Sequence, residues 1–438
     1  MKVQVGESGG SAARHEPAAP ALTQLFARRC FDGSDWLGPV LLTVTGAQIS
    51  AVEPCEERQV PPGVPKLHCL VPGFIDVQVN GGGGVLLNQQ PDVAALKQMS
   101  RAHLAYGTTK MLPTLITDDL RVMQQAADAV AALLQADPAG LTHTVAGIHF
   151  EGPHLSGSKP GIHPTAQIRP LSAAELALFS RKDIGIVMLT LAPETVSPEQ
   201  ISALCAQGVI VCLGHSNASY PQAMAAVAAG ARGFTHLMNA MSPLTSREPG
   251  MVGAALTAQG TFSGLILDHH HLHPASARLM AQYLGQERLV LVTDAMAHTG
   301  STLQQLQYGD SRIERRPASP GGALGGLRGS DKLCLPDGTL AGSALDMQSA
   351  LHHLIADLQL SPELGLSACS RNPALLIQPA LTPADLPFGV IRPGARADLL
   401  ALDSDWQISQ IWLGGVAVTM AEQGTATAAH TLTDKELL

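Results

Sequence analysis

Aromatic residues are scarce. Eight Phe, four Tyr and three Trp make up 3% of 438 residues, so Ala, Leu, Val and Gly must fill the interior. Positive charge is in deficit: 27 Lys and Arg face 36 Asp and Glu, a net charge of −9. That balance argues against a nucleic-acid groove or a polybasic membrane surface, while leaving room for a small local basic site. There is no run of 18 apolar residues, so no segment is expected to span a bilayer. The opening MKVQVGESGGSAARHEPAAP lacks the apolar stretch of a secretory signal and reads as a flexible tail over 1–20. The seven cysteines (30, 55, 69, 205, 212, 334 and 369) are odd in number, scattered and without a CxxC pair. They read as reduced thiols, and the expected location is cytoplasmic.

Apolar residues at 45% support a well-formed core, and the length suits one large domain plus a small one. From about 21 to 70 the pattern is short strands and turns. Val40–Thr45 and Gln48–Glu53 flank Gly46 and read as a hairpin. At Val71 the character changes. A buried strand, 72–79, precedes the glycine run 81–84, and strands then alternate with helices. Helices are expected at 91–106, 119–135, 172–181, 198–206, 218–229 and 275–284. Strands are expected at 109–115, 145–150, 185–191, 209–215, 233–236, 262–267 and 288–293. Eight strands, most followed by a helix, predict a (β/α)8 TIM-type barrel, α/β in class, over about 71–384. A doubly wound open sheet is the alternative, but polar residues dispersed over many strand ends favour closure. The segment 300–333, rich in Gly, Ser, Pro and Arg, reads as a mobile surface loop near the mouth, or more sharply as a lid. Helices are expected from about Leu340 to Leu358 and over 361–376. Short strands follow from Pro387, at 389–391, 398–402 and 408–418. With 21–70, the segment 385–438 is expected to form a small β-sandwich domain built from both chain ends, with a tail beyond about 420.

One stretch concentrates the chemistry. GHSNASYPQAMAAVAAGARGFTHLMNAM (214–241) holds two strand-like runs that end in His215 and His236, joined by a helix with Ser219 as its N-cap and Gly230 as its stop. In such a βαβ unit the strands are parallel neighbours, so both histidines fall at one mouth, where neutral imidazoles suit zinc or iron. Glu151 ends the third expected strand and Asp294 the eighth. Alone, a Glu before Gly-Pro reads as a turn residue, and an Asp at a strand end as a helix cap. Together, Glu151, His215 and His236 supply three ligands and leave an open position, as in a catalytic site, and Asp294 stands where it can move a proton. The run Asp268-His269-His270-His271-Leu272-His273 suggests a second metal site, but alternation along a strand would split it between faces. Ser216 lacks the glycine-flanked elbow of a serine nucleophile.

The segments PGFIDVQVNGGGG (72–84), GIHFEGPHLSGSKPGIHP (147–164), GHSNASY (214–220), THLMNAMSPLTSREPGMVGA (235–254), LVTDAMAHTG (291–300) and LAGSALDM (340–347) resemble the N-acetylglucosamine-6-phosphate deacetylase family of the amidohydrolase superfamily. GARADLLALD (394–403) is similar to a closing motif of many amidohydrolases. The resemblance implies metal-dependent hydrolysis of N-acetylglucosamine 6-phosphate to glucosamine 6-phosphate and acetate, with one divalent metal per subunit, zinc or iron. Glu151, His215 and His236 match its metal ligands and Asp294 its acid/base. His163, in GIHP, matches a residue that contacts substrate and polarises the acetyl carbonyl, and Ile162 beside it is a further substrate contact. Asn239 and Ala240 match positions near the phosphate, and His271 another sugar-phosphate contact. Leu340, Ala341 and Gly342 match a loop lining the sugar pocket. Arg247 matches an arginine that reaches the neighbouring subunit's substrate, which implies a homodimer. Two features depart from the pattern. Gln78 and Asn80 stand where most amidohydrolases carry His-x-His, so a second metal there is not expected, and 300–333 is longer than is usual. Another N-acylated sugar phosphate or a cyclic amide as substrate, or an inactive binding protein on the same fold, are the alternative readings.

Overall fold

The computed structural model describes residues 23–136, 141–318, 327 and 329–419. The tails expected at the two chain ends lie outside these. Eight consecutive parallel strands form the central sheet: β1 (Phe74–Val79), β2 (Thr108–Ile116), β3 (Gly147–Glu151), β4 (Ile186–Leu191), β5 (Ile210–Leu213), β6 (Gly233–Phe234), β7 (Phe262–Leu265) and β8 (Leu289–Leu291). All nine residues of β2 and all six of β1 are buried, as expected of strands covered on both faces. The sheet closes on itself just past β8. Asp294 donates its N–H to the Gln78 carbonyl at 3.0 Å, and Val79 bridges Ala295 in parallel register.

Helices pack outside the strands, and their starts are written locally. Asp92 accepts from the Ala95 amide to open Val93–Leu104. Ser172 with Glu175 opens Ala173–Phe179, and Ser197 with Gln200 opens Pro198–Ala206, both as capping boxes that satisfy otherwise orphaned amides. Tyr220–Ala228 and Pro274–Arg288 carry Pro in the first turn, where its missing N–H costs nothing.

The small β layer draws on both chain ends. Gln24–Phe31, Val40–Thr45, Gln48–Pro54 and Lys66–Pro72 join Leu399–Leu402, Ile408–Leu413 and Val416–Val418 in one hydrogen-bonded path. The ends meet where Leu399–Leu402 runs antiparallel to Lys66–Pro72. The layer curls back on itself, for the amides of Ile49 and Gly394 exchange hydrogen bonds with the carbonyls of Ala395 and Ile49. The hairpin around Gly46 forms as the sequence indicates.

Several elements differ from expectation. Within the described part of 300–333, a three-stranded antiparallel meander (Gln305–Tyr308, Ser311–Arg316 and Lys332–Cys334) stands where a mobile loop was expected, while 319–326 and 328 of that expected loop lie outside the described residues. Tyr308, Ile313 and Leu333 pack with Leu86, Ile116, Met296 and Ala341 as a separate small core. The helix expected from Leu340 begins only at Met347, where Asp346 accepts from the Ser349 amide. Before it, Ser343 is held in extended register against Ala295. The helix expected over 361–376 breaks at Ser370 into Pro362–Cys369 and Arg371–Ile377. Residues 389–391 form no strand, and the helix Gly250–Thr257 was not legible in its Gly-rich sequence. Among the described residues no helix is long and apolar enough to cross a membrane, and all seven cysteines are free.

Candidate active site

The strand ends converge as closure requires. Glu151 is the last residue of β3, and His215, His236 and Asp294 follow β5, β6 and β8 by two or three residues. His215, His236 and Asp294 all have positive φ, at 46, 34 and 53°, as do Met238 and Ala240 beside them. Such conformations cost about 1–3 kcal/mol each and collect at functional sites. Together with Glu151 these turns surround a cavity of about 250 Å3.

Three ligating atoms meet at one point. Glu151 Oε1 lies 3.0 Å from His236 Nε2 and 3.3 Å from His215 Nε2, and the two imidazole nitrogens are 3.0 Å apart. His215 Nδ1 donates to the Lys159 carbonyl at 2.9 Å, so in the neutral ring Nε2 presents its lone pair to the cluster, the arrangement by which an outer hydrogen bond orients a metal ligand. Burial alone would raise the Glu151 carboxyl, but its contacts with His215 and His236, and the charge on His236, hold it well below its usual range. Burial also opposes charge on His236, yet Glu151 and then Asp294 raise it above the ordinary histidine value. A carboxylate and two imidazoles converging in a buried pocket fit a divalent cation with an open position.

Asp294 lines the same cavity beside the cluster. Its Oδ1 accepts from Asn80 Nδ2 at 2.7 Å and from Gln78 Nε2 at 3.1 Å, and the same Gln78 nitrogen lies 3.2 Å from Glu151 Oε1. The positions occupied by His-x-His in most amidohydrolases thus hold two amides that fasten the acid/base candidate. That role was not read from the sequence, because it depends on β1 and β8 being adjacent. Burial, followed by the Glu151 charge, raises the Asp294 carboxyl above its usual range. Behind it Asp76 accepts from the Thr293 hydroxyl at 2.5 Å, which fixes the turn that carries Asp294.

His163 reaches the cavity from the long loop after β3. Its Nδ1 accepts the Thr117 N–H at 3.2 Å, so Nε2 carries the proton, and Nε2 lies 4.0 Å from Glu151 Oε2. Burial and then the His215 charge push it down to about 3, leaving a neutral donor aimed into the pocket. His271 also lines the cavity. Its Nδ1 contacts Asp268 Oδ2 at 2.7 Å, and although burial opposes the charge, Asp268 raises it above 6.5.

The remaining candidates divide. Ile162, Asn239, Ala240, Leu340 and Gly342 line the cavity. Gly342 needs its φ of 60°, since a Cβ there would stand 2.6 Å from Met296 Cγ and 3.0 Å from the Asp294 carbonyl. Ala341 is fully buried in the small core beneath the meander and does not face the cavity. Arg247 is exposed and lies outside the cavity of its own chain. Lining residues that sequence reasoning missed include Ile116, Gly161, Ile266 and Thr339. Ile116 and Ile266 are apolar, Gly161 lies in a turn and Thr339 is a lone exposed hydroxyl, none of them a chemical signature by itself.

Residues 69–422 match the amidohydrolase family. The chain is 46% identical over 355 residues to an N-acetylgalactosamine-6-phosphate deacetylase of Shewanella sp. (strain ANA-3), covering 81% of this chain and 84% of that protein. It is 35% identical over 366 residues to an N-acetylglucosamine-6-phosphate deacetylase of Rattus norvegicus, covering 81% and 84%. The crystal structure of N-acetylglucosamine-6-phosphate deacetylase from Pasteurella multocida superimposes with a TM-score of 0.80 at 31% identity, covering 90% of this chain and 99% of that one. With the barrel, the ligand cluster and these likenesses in agreement, the chain belongs to the amidohydrolase family.

Proposed function

We propose that the protein hydrolyses the acetamide of an N-acetylhexosamine 6-phosphate, giving the hexosamine 6-phosphate and acetate. The observation that carries this reading is the convergence of Glu151, His215 and His236 at 3.0–3.3 Å beside Asp294 in one buried cavity. Glu151, His215 and His236 would hold one divalent metal, zinc or iron. When bound, such an ion lowers the pKa of water toward about 7 and polarises a carbonyl.

The chain's own groups supply the rest. Asp294, raised by burial and the Glu151 charge, takes the proton of the attacking water. His163 Nε2–H donates to the acetyl oxygen as negative charge develops there. Asp294 then returns its proton to the amide nitrogen as the C–N bond breaks. The acetyl carbon, now bonded to the water oxygen, leaves as acetic acid, whose remaining proton passes to the free sugar amine or to solvent to give acetate. Gln78 and Asn80 hold Asp294 at the angle both transfers need. His271, whose charged form Asp268 favours, suits a sugar phosphate. Arg247, exposed and outside its own cavity, would reach the phosphate of a partner subunit, making the working form a homodimer. Ile162, Asn239, Ala240, Leu340 and Gly342 would shape the sugar pocket. Free, mostly buried cysteines suit a reducing, cytoplasmic setting.

N-acetylglucosamine 6-phosphate is the substrate implied by the family resemblance. N-acetylgalactosamine 6-phosphate is a second reading, favoured by the 46% identity to the Shewanella protein, and the two sugars differ only at C4. Acetate release from both 6-phosphates and from unphosphorylated N-acetylglucosamine, before and after chelation and zinc restoration, tests the proposal. Zinc-dependent release from at least one phosphorylated sugar is expected, and the ratio of kcat/KM values assigns the epimer. No release from either 6-phosphate by metal-loaded protein would overturn the reading.

A further inference from the structure

The loop after β7 presents its histidines in two directions. Asp268 and His271 serve the active-site wall. His269 turns away, at a φ of 62°, an unusual conformation for a residue with a side chain. Its Nε2 lies 2.8 Å from Asp357 Oδ2, and its ring centroid is 4.5 Å from that of His353. His269 Nδ1 is buried with no hydrogen-bond partner.

His353 and Asp357 share one face because the helix that begins at Met347 ends in a π-turn over His353–Asp357. Such wide turns occur often at functional sites. His353 Nδ1 donates to the Leu267 carbonyl at 2.5 Å, leaving Nε2 free to ligate, just as Lys159 orients His215. Both segments therefore spend unusual backbone geometry to bring two imidazoles and a carboxylate together. One ligating atom from each of His269, His353 and Asp357 lies within 4.8 Å of the others.

We propose that His269, His353 and Asp357 form a second metal site, outside the active-site cavity, for a zinc-class divalent cation. Two imidazoles with one carboxylate select borderline transition ions over magnesium or calcium, which take oxygen ligands. Tetrahedral zinc with bonds of about 2.0–2.1 Å holds its ligands roughly 3.4 Å apart, so a pair at the 4.8 Å limit would close by about 1.4 Å, a shift within reach of side-chain rotation. Asp357 is 24% exposed, which leaves a path for the ion and a position for water. The ion would clamp the loop that carries His271 to the helix running from Met347.

The test is a zinc titration of the full chain, stripped by chelation, against a competing chromophoric chelator. Two tight equivalents are expected for the unchanged protein and one for His353→Gln, with the remaining one lost on adding His215→Ala. Asp357→Asn, at a part-exposed position, should also give one and serves if His353→Gln does not fold. A single tight equivalent in the unchanged chain that vanishes with His215→Ala would overturn the proposal, as would full zinc uptake by His353→Gln or Asp357→Asn. A single equivalent that survives His215→Ala and is lost in His353→Gln would support this site while removing the metal from the proposed active site.

Discussion

Asn80 donates its side-chain amide to Asp294 Oδ1 at 2.7 Å, the shortest contact that the acid/base candidate makes among the described residues. An amide here stabilises the carboxylate form, so it opposes the rise that burial and Glu151 impose. Asn80→Ala should move the acidic limb of the kcat profile to higher pH and lower kcat by roughly 10- to 100-fold. A profile unchanged in position would remove Asn80 from that role.

Asp294→Asn preserves the shape of the side chain and the turn at φ 53° but cannot take a proton. Turnover should fall by about 10^3-fold or more, with metal content at Glu151, His215 and His236 unchanged. Retained turnover would defeat the proton-transfer scheme, whereas loss of metal would show that the residue acts through binding.

Arg247 stands exposed outside its own cavity. If it reaches a partner's substrate, Arg247→Ala should raise KM more than it lowers kcat. Mixed dimers of Arg247→Ala and Asp294→Asn chains should recover about a quarter to a half of the activity per dimer, because one site is then complete. An unchanged KM, or a monomer with full activity, would rule this out.

The Asp268–His271 pair predicts a pH dependence with a definite sign. His271 is raised above 6.5 and Asp268 lies below 3.8. The raised histidine contributes stability that is complete below 6.5 and lost as pH rises through its folded value. The depressed aspartate contributes stability that is present above 3.8 and lost as pH falls through its folded value. The pair therefore works fully between these two limits. If the imidazolium faces phosphate, KM should climb on the alkaline side of that window, and His271→Asn should give a higher KM that is flat with pH. Steady-state KM from pH 6 to 9 separates these outcomes.

Much of the molecule was legible locally. The barrel's alternation follows from buried strand runs and from local helix signals such as Ser219 and Gly230, whose effects extend only a few residues along the chain. His215 and His236 could be paired from sequence because one βαβ unit joins them, and Glu151 and Asp294 because strand ends in a closed barrel share a mouth. The meander within 300–333 was missed because its few apolar residues, Leu306, Tyr308 and Ile313, are diluted by Gly, Arg and Ser, and its core is completed by Leu86 and Met296 from elsewhere.

The sequence by itself indicated the order of the eight barrel strands and most of their helices, the candidate ligand types and the acid/base candidate, since periodicity and side-chain chemistry are properties of short stretches. Only the tertiary structure decided that Gln78 and Asn80 hold Asp294, that Ala341 turns into a core rather than the pocket, and that His269 leaves its neighbours to join His353 and Asp357. Each of those outcomes depends on atoms more than 40 residues apart being brought to hydrogen-bonding or packing distance, and no local pattern carries that information.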